Sequence, residues 1–525
     1  MAQTLQQRLR ELLRQDTPAV KHGERAWTWR EHLTEAAAVA AAVTGVADPD
    51  RPLHVGTLLG NTPEMLTAMA AAALGGYVIC GINDTRRGDA LARDILRADC
   101  QILLVDPAHA ALLDGLDLAG VRVFDVTGGA WSELLDAAAP LSPHREVEPT
   151  DTFMMIFTSG TSGEPKAVRV THLTVLFAGT TLIERFGVDA SDVCYLSMPL
   201  FHSNALLAGW SVAVGAGAAM VPATFSASRL LPDLRRYGAT FMNYVGKPLS
   251  YVLATPEQPD DHDNPLRVAF GNEAGDRDIA EFSRRFDCTV WDGFGSTEGA
   301  IIITREDGCP PGSLGKGFPG VAIYNPDTLA ECPAAAFGDD GVLTNADEAI
   351  GELVNTTGAG LFAGYYNDPA ATDERLRHGM FWSGDLAYRD ADGWIYFAGR
   401  SGDWLRVDGE NMTTAPIERI LQRLDPVSQV AVYAVPDELA GDQVMAAIVL
   451  QDGAALTPSE FGEFLAAQPD LSPKAWPRHV WLTDRLPTTA TNKVIKRELT
   501  ALGANPEGGT LWRRDGRARD YIARG

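Results

Sequence analysis

The sequence predicts an α/β protein: a large N-terminal domain of layered α/β subdomains with a small β-rich subdomain, and a small α+β C-terminal domain. Three observations predict this. Apolar β-branched runs, HVGTLL (54–59), QILLVD (101–106) and VRVFDV (121–126), alternate with Ala/Leu-rich stretches at helical spacing, the pattern of largely parallel strands layered with helices. After about residue 310 the texture changes to short strands and turns: GELVNTT, GWIYFAGR, the Asn367-Asp368-Pro369 turn and Asp392-Gly393. Past residue 400 a second pattern follows, with IERILQRL reading as helix and QVAVYAV and QVMAAIVL as strands. The division is placed near GRSGD (399–403), giving domains over 1–400 and 401–525.

Length and composition support more than one core. A chain of 525 residues exceeds what one compact core accommodates, and 46% hydrophobic residues suffice for several. Lys and Arg total 44 against 69 Asp and Glu, a net charge of -25, which opposes nucleic acid and anionic membrane surfaces as bulk partners. An anionic cofactor must then be held by a local site. Six scattered cysteines without a CxxC pair suggest a reduced, cytoplasmic protein. The N-terminal MAQTLQQRLRELLRQ interleaves charge with apolar residues and has no signal-peptide core. MLTAMAAAALGGYVICGI (65–82) is long enough to span a bilayer, but Gly75-Gly76 breaks it into a buried helix, a turn and a buried strand. No integral span is expected, which leaves peripheral membrane contact open.

The chemistry begins at TSGTSGEPK (158–166). It follows the apolar run FMMIF and supplies Thr158, Ser159, Gly160, Thr161, Ser162, Gly163 and Lys166. Glycines let backbone N–H groups approach an anion, hydroxyls add donors and the lysine adds a charge, so the loop suits phosphate. It is not a Walker A loop, because Pro165 precedes the lysine and VRVTH reads as strand. Alone, it reads equally well as a Ser/Thr/Gly-rich surface turn.

Further segments resolve that ambiguity. FTSGTSGEPKA closely resembles the loop of the adenylate-forming superfamily: acyl-CoA synthetases, peptide-synthetase adenylation domains and beetle luciferases. The remaining family segments follow in order. GNEA, comprising Gly271, Asn272, Glu273 and Ala274, resembles the adenine-pocket strand and turn. DGFGSTEGA resembles the segment holding adenine, phosphate and Mg²⁺; it contributes Asp292, Gly293, Phe294, Gly295, Ser296, Thr297 and Glu298, with Phe294 as the adenine face in place of the usual Tyr. SGDLAYRDADGWIYFAGR implies Asp385 on the ribose hydroxyls and Arg400 at the end of the large domain. LPTTATNKVIKREL implies Lys493 on the substrate carboxylate and α-phosphate. Singly, Glu298 could be a helix N-terminal carboxylate, Asp385 a turn residue and Lys493 a solvated lysine. Together they form the inventory adenylation needs.

RSGDWLRVDGENMTTAPIE (400–418) is most similar to the fatty-acid transport protein and very-long-chain acyl-CoA synthetase branch. The resemblance implies a mobile C-terminal domain pivoting at Gly402, and a CoA tunnel served by Arg406, Gly409, Glu410 and Asn411. It also implies a catalytic set of Lys493, Glu298, Thr297, His202 and Arg400, with Glu298 on the metal. In MPLFHSNALLAGW (198–210), where the family builds its acyl pocket, His202-Ser203-Asn204 replaces the aspartate that pairs an amino-acid ammonium. His202 either gates the carboxylate or hydrogen-bonds within a core. Phe241, Tyr244 and Tyr251 read as core residues that could also line a wide apolar tunnel.

The implied function is an AMP-forming acyl-CoA ligase using ATP, Mg²⁺ and CoA on a medium- or long-chain fatty acid or a bulky steroid side-chain acid. The alternatives are an enzyme passing its adenylate to a carrier protein, and a non-catalytic fatty-acid binding or transport protein.

Overall fold

A computed structural model describes residues 2–159, 165–246, 248–339, 341, 343–400, 404–407, 410–437, 441–489, 493–514 and 520–524. The chain forms two compact units, Met1–Ala300 with Ala359–Arg377, and Ile301–Gly358 with His378–Gly525.

The first unit carries two largely parallel sheets. One runs in the order Arg122–Asp125, Ile102–Val105, His54–Leu58, Val78–Gly81, Thr152–Ser159, with Pro165–Thr171 added antiparallel at the edge. Its central strands are buried along their whole length, which explains why they read as continuous apolar runs. The segment weighed as a bilayer span is the helix Pro63–Gly75, ended by Gly76 in the left-handed region at φ +70, then the strand Val78–Gly81. Proline at the first turn and glycine at the end are the usual helix boundaries, and a helix apolar all round belongs in a core. Among the described residues no helix is long and apolar enough to cross a membrane.

In the second sheet, Thr289–Gly295, Val268–Asn272, Phe241–Val245, Val193–Leu196, Ala219–Pro222 and Pro18–His22 are parallel neighbours, with Arg25–Thr28 antiparallel to the last. Its core packs Tyr195, Met242, Tyr244, Phe282 and Phe286 together. Phe241 and Tyr244 are fully buried, as expected of core aromatics. Tyr251 is not: it is 38% exposed. The helix Pro248–Leu253 turns Leu249 and Val252 inward, and this geometry leaves Tyr251 on the outer face.

The second unit holds an antiparallel sheet of Val321–Tyr324, Gly351–Asn355, Met380–Arg389 and Ile395–Arg400. Its C-terminal part is an α+β layer. There the long hairpin Val427–Asp437 and Gly441–Leu450 packs the helices Thr414–Leu421 and Pro458–Ala466 over Leu405, Val432, Val444, Ile448 and Trp512. The locally basic C-terminus forms two further antiparallel strands, Thr510–Arg514 and Tyr521–Arg524.

Candidate active site

The phosphate-type loop is flanked by two strands paired antiparallel, Thr152–Ser159 and Pro165–Thr171. Thr158 pairs with Lys166 and Ser159 with Pro165, so both stems are fixed by ladder hydrogen bonds; Gly160, Thr161, Ser162 and Gly163 lie outside the described residues. Lys166 is 7% exposed. Its ammonium stands over the Tyr365 ring, 5.2 Å from the centroid, and 3.6 Å from the Glu374 carboxylate. Burying a lysine needs such partners, and the aromatic face and the exposed carboxylate supply them.

Tyr365 also reaches the second segment. Its hydroxyl donates to Glu298 Oε1 at 2.9 Å. Burial, then the charge of Glu298, push the phenol well above its ordinary value although Arg375 pulls the other way, so the hydroxyl keeps its proton and remains the donor. The backbone at Tyr365 is held by a bridge to Val168 on the second of these strands and by its N–H to Thr372 Oγ1. One side chain thus touches the loop lysine and the carboxylate assigned to metal.

Beside Glu298, the Thr297 hydroxyl donates to Ser203 Oγ at 2.9 Å. Ser203 follows His202 at the start of a helical stretch that passes through a π turn, Leu206–Trp210, into Ser211–Ala216. His202 is half-buried, its ring 4.4 Å from that of Phe201. A π turn inside a helix is costly and recurs at functional sites.

GNEA and DGFG form one cradle at the ends of adjacent parallel strands. Gly271 pairs with Asp292 in register, and Asn272 Nδ2 donates to the Gly293 carbonyl at 2.6 Å. A Cβ at Gly271 would lie 2.3 Å from the Tyr244 carbonyl, so only glycine permits this approach. Glu273 adopts φ +69, unusual for a residue with a side chain, and this aims the next N–H, that of Ala274, at buried Asp292 Oδ2 at 2.9 Å. The Tyr244 hydroxyl donates to the same carboxylate oxygen at 3.1 Å. Phe294 and Ser296 are half-buried and Gly295 is exposed just beyond the cradle.

In the second unit, Asp385 and Arg400 are register partners on neighbouring strands, with Arg400 Nε 3.5 Å from Asp385 Oδ1. The Asp385 N–H donates to Ser383 Oγ and the Gly384 N–H to Glu352, fixing the strand where it presents the carboxylate. Arg406 lies opposite Asn411 in the hairpin Trp404–Val407 and Glu410–Thr413; Gly402 and Gly409 lie outside the described residues. Lys493 is exposed at a tight turn where its N–H donates to Thr489 Oγ1 and its carbonyl accepts the Thr489 N–H.

Three contributors escaped the sequence reading: Tyr365, Ser203 as the partner of Thr297, and Tyr244 as a brace for Asp292. For Tyr365 a cue existed, since Tyr365-Tyr366 directly precedes the Asn367-Asp368-Pro369 turn. The other two depend on pairing between distant strands and leave no local mark.

Comparison with known proteins identifies the family. Residues 10–366 match the family model "AMP-binding enzyme" and residues 416–493 match "AMP-binding enzyme C-terminal domain". The chain is 52% identical over 486 residues to a medium/long-chain-fatty-acid–CoA ligase, FadD17, of Mycobacterium marinum, covering 91% of this chain and 92% of the relative. It is 45% identical over 502 residues to a steroid-22-oyl-CoA synthetase of Rhodococcus jostii, covering 94% and 90%. The crystal structure of ATP-bound MatB from Rhodopseudomonas palustris shares the fold at a TM-score of 0.83 and 23% identity, covering 95% of this chain and 99% of that one. With both family models and near full-length relatives matched, the chain belongs to the AMP-binding enzyme family of adenylate-forming enzymes.

Proposed function

We propose that this enzyme joins a medium- or long-chain fatty acid, or a bulky lipid acid such as a steroid side-chain carboxylate, to CoA through an acyl-adenylate. The observation that carries the reading is the meeting of Lys166, Tyr365, Glu298 and Thr297 in one unit, with a cation and a carboxylate held on the two sides of one phenol. The substrate class follows the names of the two relatives, both acid–CoA ligases.

In the first half-reaction a carboxylate oxygen of the acid attacks the α-phosphorus of ATP and pyrophosphate leaves. Two anions must approach, so the work of the site is to neutralise charge. Lys166 and the loop N–H groups take the β- and γ-phosphates, Phe294 takes adenine, Asp385 the ribose hydroxyls, and Lys493 the oxygens that gain charge. Removing one such contact costs on the order of 10²-fold in rate. Glu298, with the Thr297 hydroxyl beside it, would hold Mg²⁺, which supplies charge neutralisation at the phosphates. The donor set fits that ion: Mg²⁺ takes one or two protein carboxylates and completes its shell with water and phosphate. Among the described residues no cluster of three His, Cys, Asp or Glu could hold a metal by itself.

In the second half-reaction the CoA thiolate attacks the acyl carbonyl and AMP leaves with the electron pair of the anhydride bond. Domain rotation about Gly402 withdraws Lys493 and brings Arg406, Gly409, Glu410 and Asn411 to the CoA thiol. None of the six cysteines lies in a family segment, so the reaction is written without an acyl-enzyme. Burial raises the pKa of Cys80, Cys194 and Cys332, and that of Cys288 to about 12, far from a thiolate at neutral pH. A cytoplasmic, reducing location suits six cysteines present as free thiols.

The test is pyrophosphate release from ATP across fatty, steroidal, aryl and amino acids, with acyl-CoA measured when CoA is added. Release with fatty or steroidal acids and CoA-dependent thioester formation support the reading. Turnover confined to amino acids, or an adenylate that CoA cannot discharge, contradicts it.

A further inference from the structure

Two consecutive side chains at the start of the helical stretch assigned to the acyl pocket grip both nucleotide segments. Ser203 Oγ accepts the Thr297 hydroxyl at 2.9 Å. Asn204 Nδ2 donates to Asn272 Oδ1 and to the Tyr244 carbonyl, both at 3.0 Å. Asn272 in turn donates to the Gly293 carbonyl at 2.6 Å, the residue before Phe294.

The amide orientations in this chain are over-determined. Asn243, fully buried on the strand Phe241–Val245, donates through Nδ2 to Asn204 Oδ1 at 2.7 Å. Asn204 must therefore present oxygen to Asn243 and nitrogen to Asn272 and the Tyr244 carbonyl; flipping Asn204 breaks three bonds and flipping Asn272 breaks two. The helical stretch sits close above: a Cβ at Gly209 would lie 2.8 Å from Asn243 Oδ1 and 2.8 Å from Leu196 Cδ2. Asn243 is fully buried with its Oδ1 unpaired among the described residues, and Asn204 and Asn272 are half-buried, so three asparagines here carry a desolvation cost that apolar packing would avoid and that needs a functional return.

We infer that Ser203 and Asn204 are positioning residues for adenylation: Ser203 fixes the Thr297 hydroxyl, and Asn204, through Asn272, fixes the Gly293 carbonyl and the adenine-facing Phe294 that follows. The inference rests on the proposed function, because it needs Thr297 and Phe294 at the nucleotide. Its consequence is that the acid-binding stretch and the nucleotide segments form one hydrogen-bonded frame. An acid that displaces the stretch then disturbs the phosphate site as well as its own, and selectivity among acids appears in kcat as well as KM.

The experiment is a double-mutant cycle on acid-dependent pyrophosphate exchange in the full-length enzyme, with Ser203→Ala, Thr297→Ala and the pair, alongside Ser203→Thr and Asn204→Ala. Ser203→Ala is expected to lower kcat about 10-fold with KM for ATP within about twofold, and Ser203→Thr, which restores the hydroxyl, to recover most of that loss. The double variant should be no slower than Thr297→Ala alone. Asn204→Ala should raise KM for ATP about 10-fold, and ATP binding measured by calorimetry without acid should weaken in step. Additive losses in the cycle, Ser203→Ala at the wild-type rate while Thr297→Ala is impaired, or an impaired Ser203→Ala that Ser203→Thr fails to rescue would each overturn the inference alone. A wild-type rate for Thr297→Ala would overturn the proposed site, and this inference with it.

Discussion

Two buried histidines should make the first unit acid-sensitive by a calculable amount. His32, on the helix Trp29–Val46, is 2% exposed and lies against Trp29, the ring centroids 6.1 Å apart. His172 opens the helix His172–Phe186 directly after the strand Pro165–Thr171; it is 1% exposed, with its ring 5.4 Å from Phe153. Desolvation lowers both to about 4 from an ordinary 6.5; for His172 the Asp151 charge opposes the shift and Arg145 adds to it. A helix N-terminus also disfavours an imidazolium at His172. Because the folded values are depressed, the unfolded chain binds these protons first. The stability they contribute is therefore intact above pH 6.5 and is lost as pH falls toward 4. At pH 5 each histidine costs about 2 kcal/mol relative to pH 7, or about 4 kcal/mol together. The assay is urea unfolding at pH 7 and pH 5, followed by tryptophan fluorescence, since Trp29 is fully buried beside His32. His32→Gln/His172→Gln should remove about 4 kcal/mol of the pH dependence, whatever it does to stability at pH 7. An unchanged pH dependence in the double variant would refute the burial argument.

Two further outcomes are expected. Tyr365→Phe keeps the ring under Lys166 and deletes the hydroxyl on Glu298; losing a hydrogen bond to a charged group, about 1.5–3 kcal/mol, should lower adenylation kcat/KM about 10- to 100-fold, and Tyr365→Leu should fall further by stripping Lys166 of its aromatic face. Equal rates for Phe and Tyr in pyrophosphate exchange would contradict this. Gly271→Ala places a methyl against the Tyr244 carbonyl and ring, and should cost about 2–3 kcal/mol in unfolding experiments while raising KM for ATP; a variant as stable as its parent would show that the strands can part.

How much was legible in the sequence follows from the range of each interaction. The parallel strands were legible because a strand buried on both faces must be apolar throughout, as ILLV of Ile102–Val105 is. The strands flanking the phosphate loop and the Gly75-Gly76 break were legible because glycine and proline mark the backbone locally. Asp385 and Arg400 were found as separate residues of one segment, and the antiparallel register brings them face to face. What stayed hidden was the support behind each group. Tyr365 is 199 residues from Lys166 in sequence, and no local pattern shows that its phenol bridges Lys166 and Glu298. Tyr251 was misjudged because six residues of helix carry too few turns for periodicity to assign its face.

The measurement that tests the account most directly separates the two half-reactions in Lys493→Ala. Pyrophosphate exchange should fall by on the order of 10²-fold or more, while thioester formation from supplied acyl-adenylate and CoA should stay within a few-fold of wild type. Retention of both half-reactions would show that this lysine does not act on the reacting carboxylate and phosphate, and the electrostatic account of adenylation would fail.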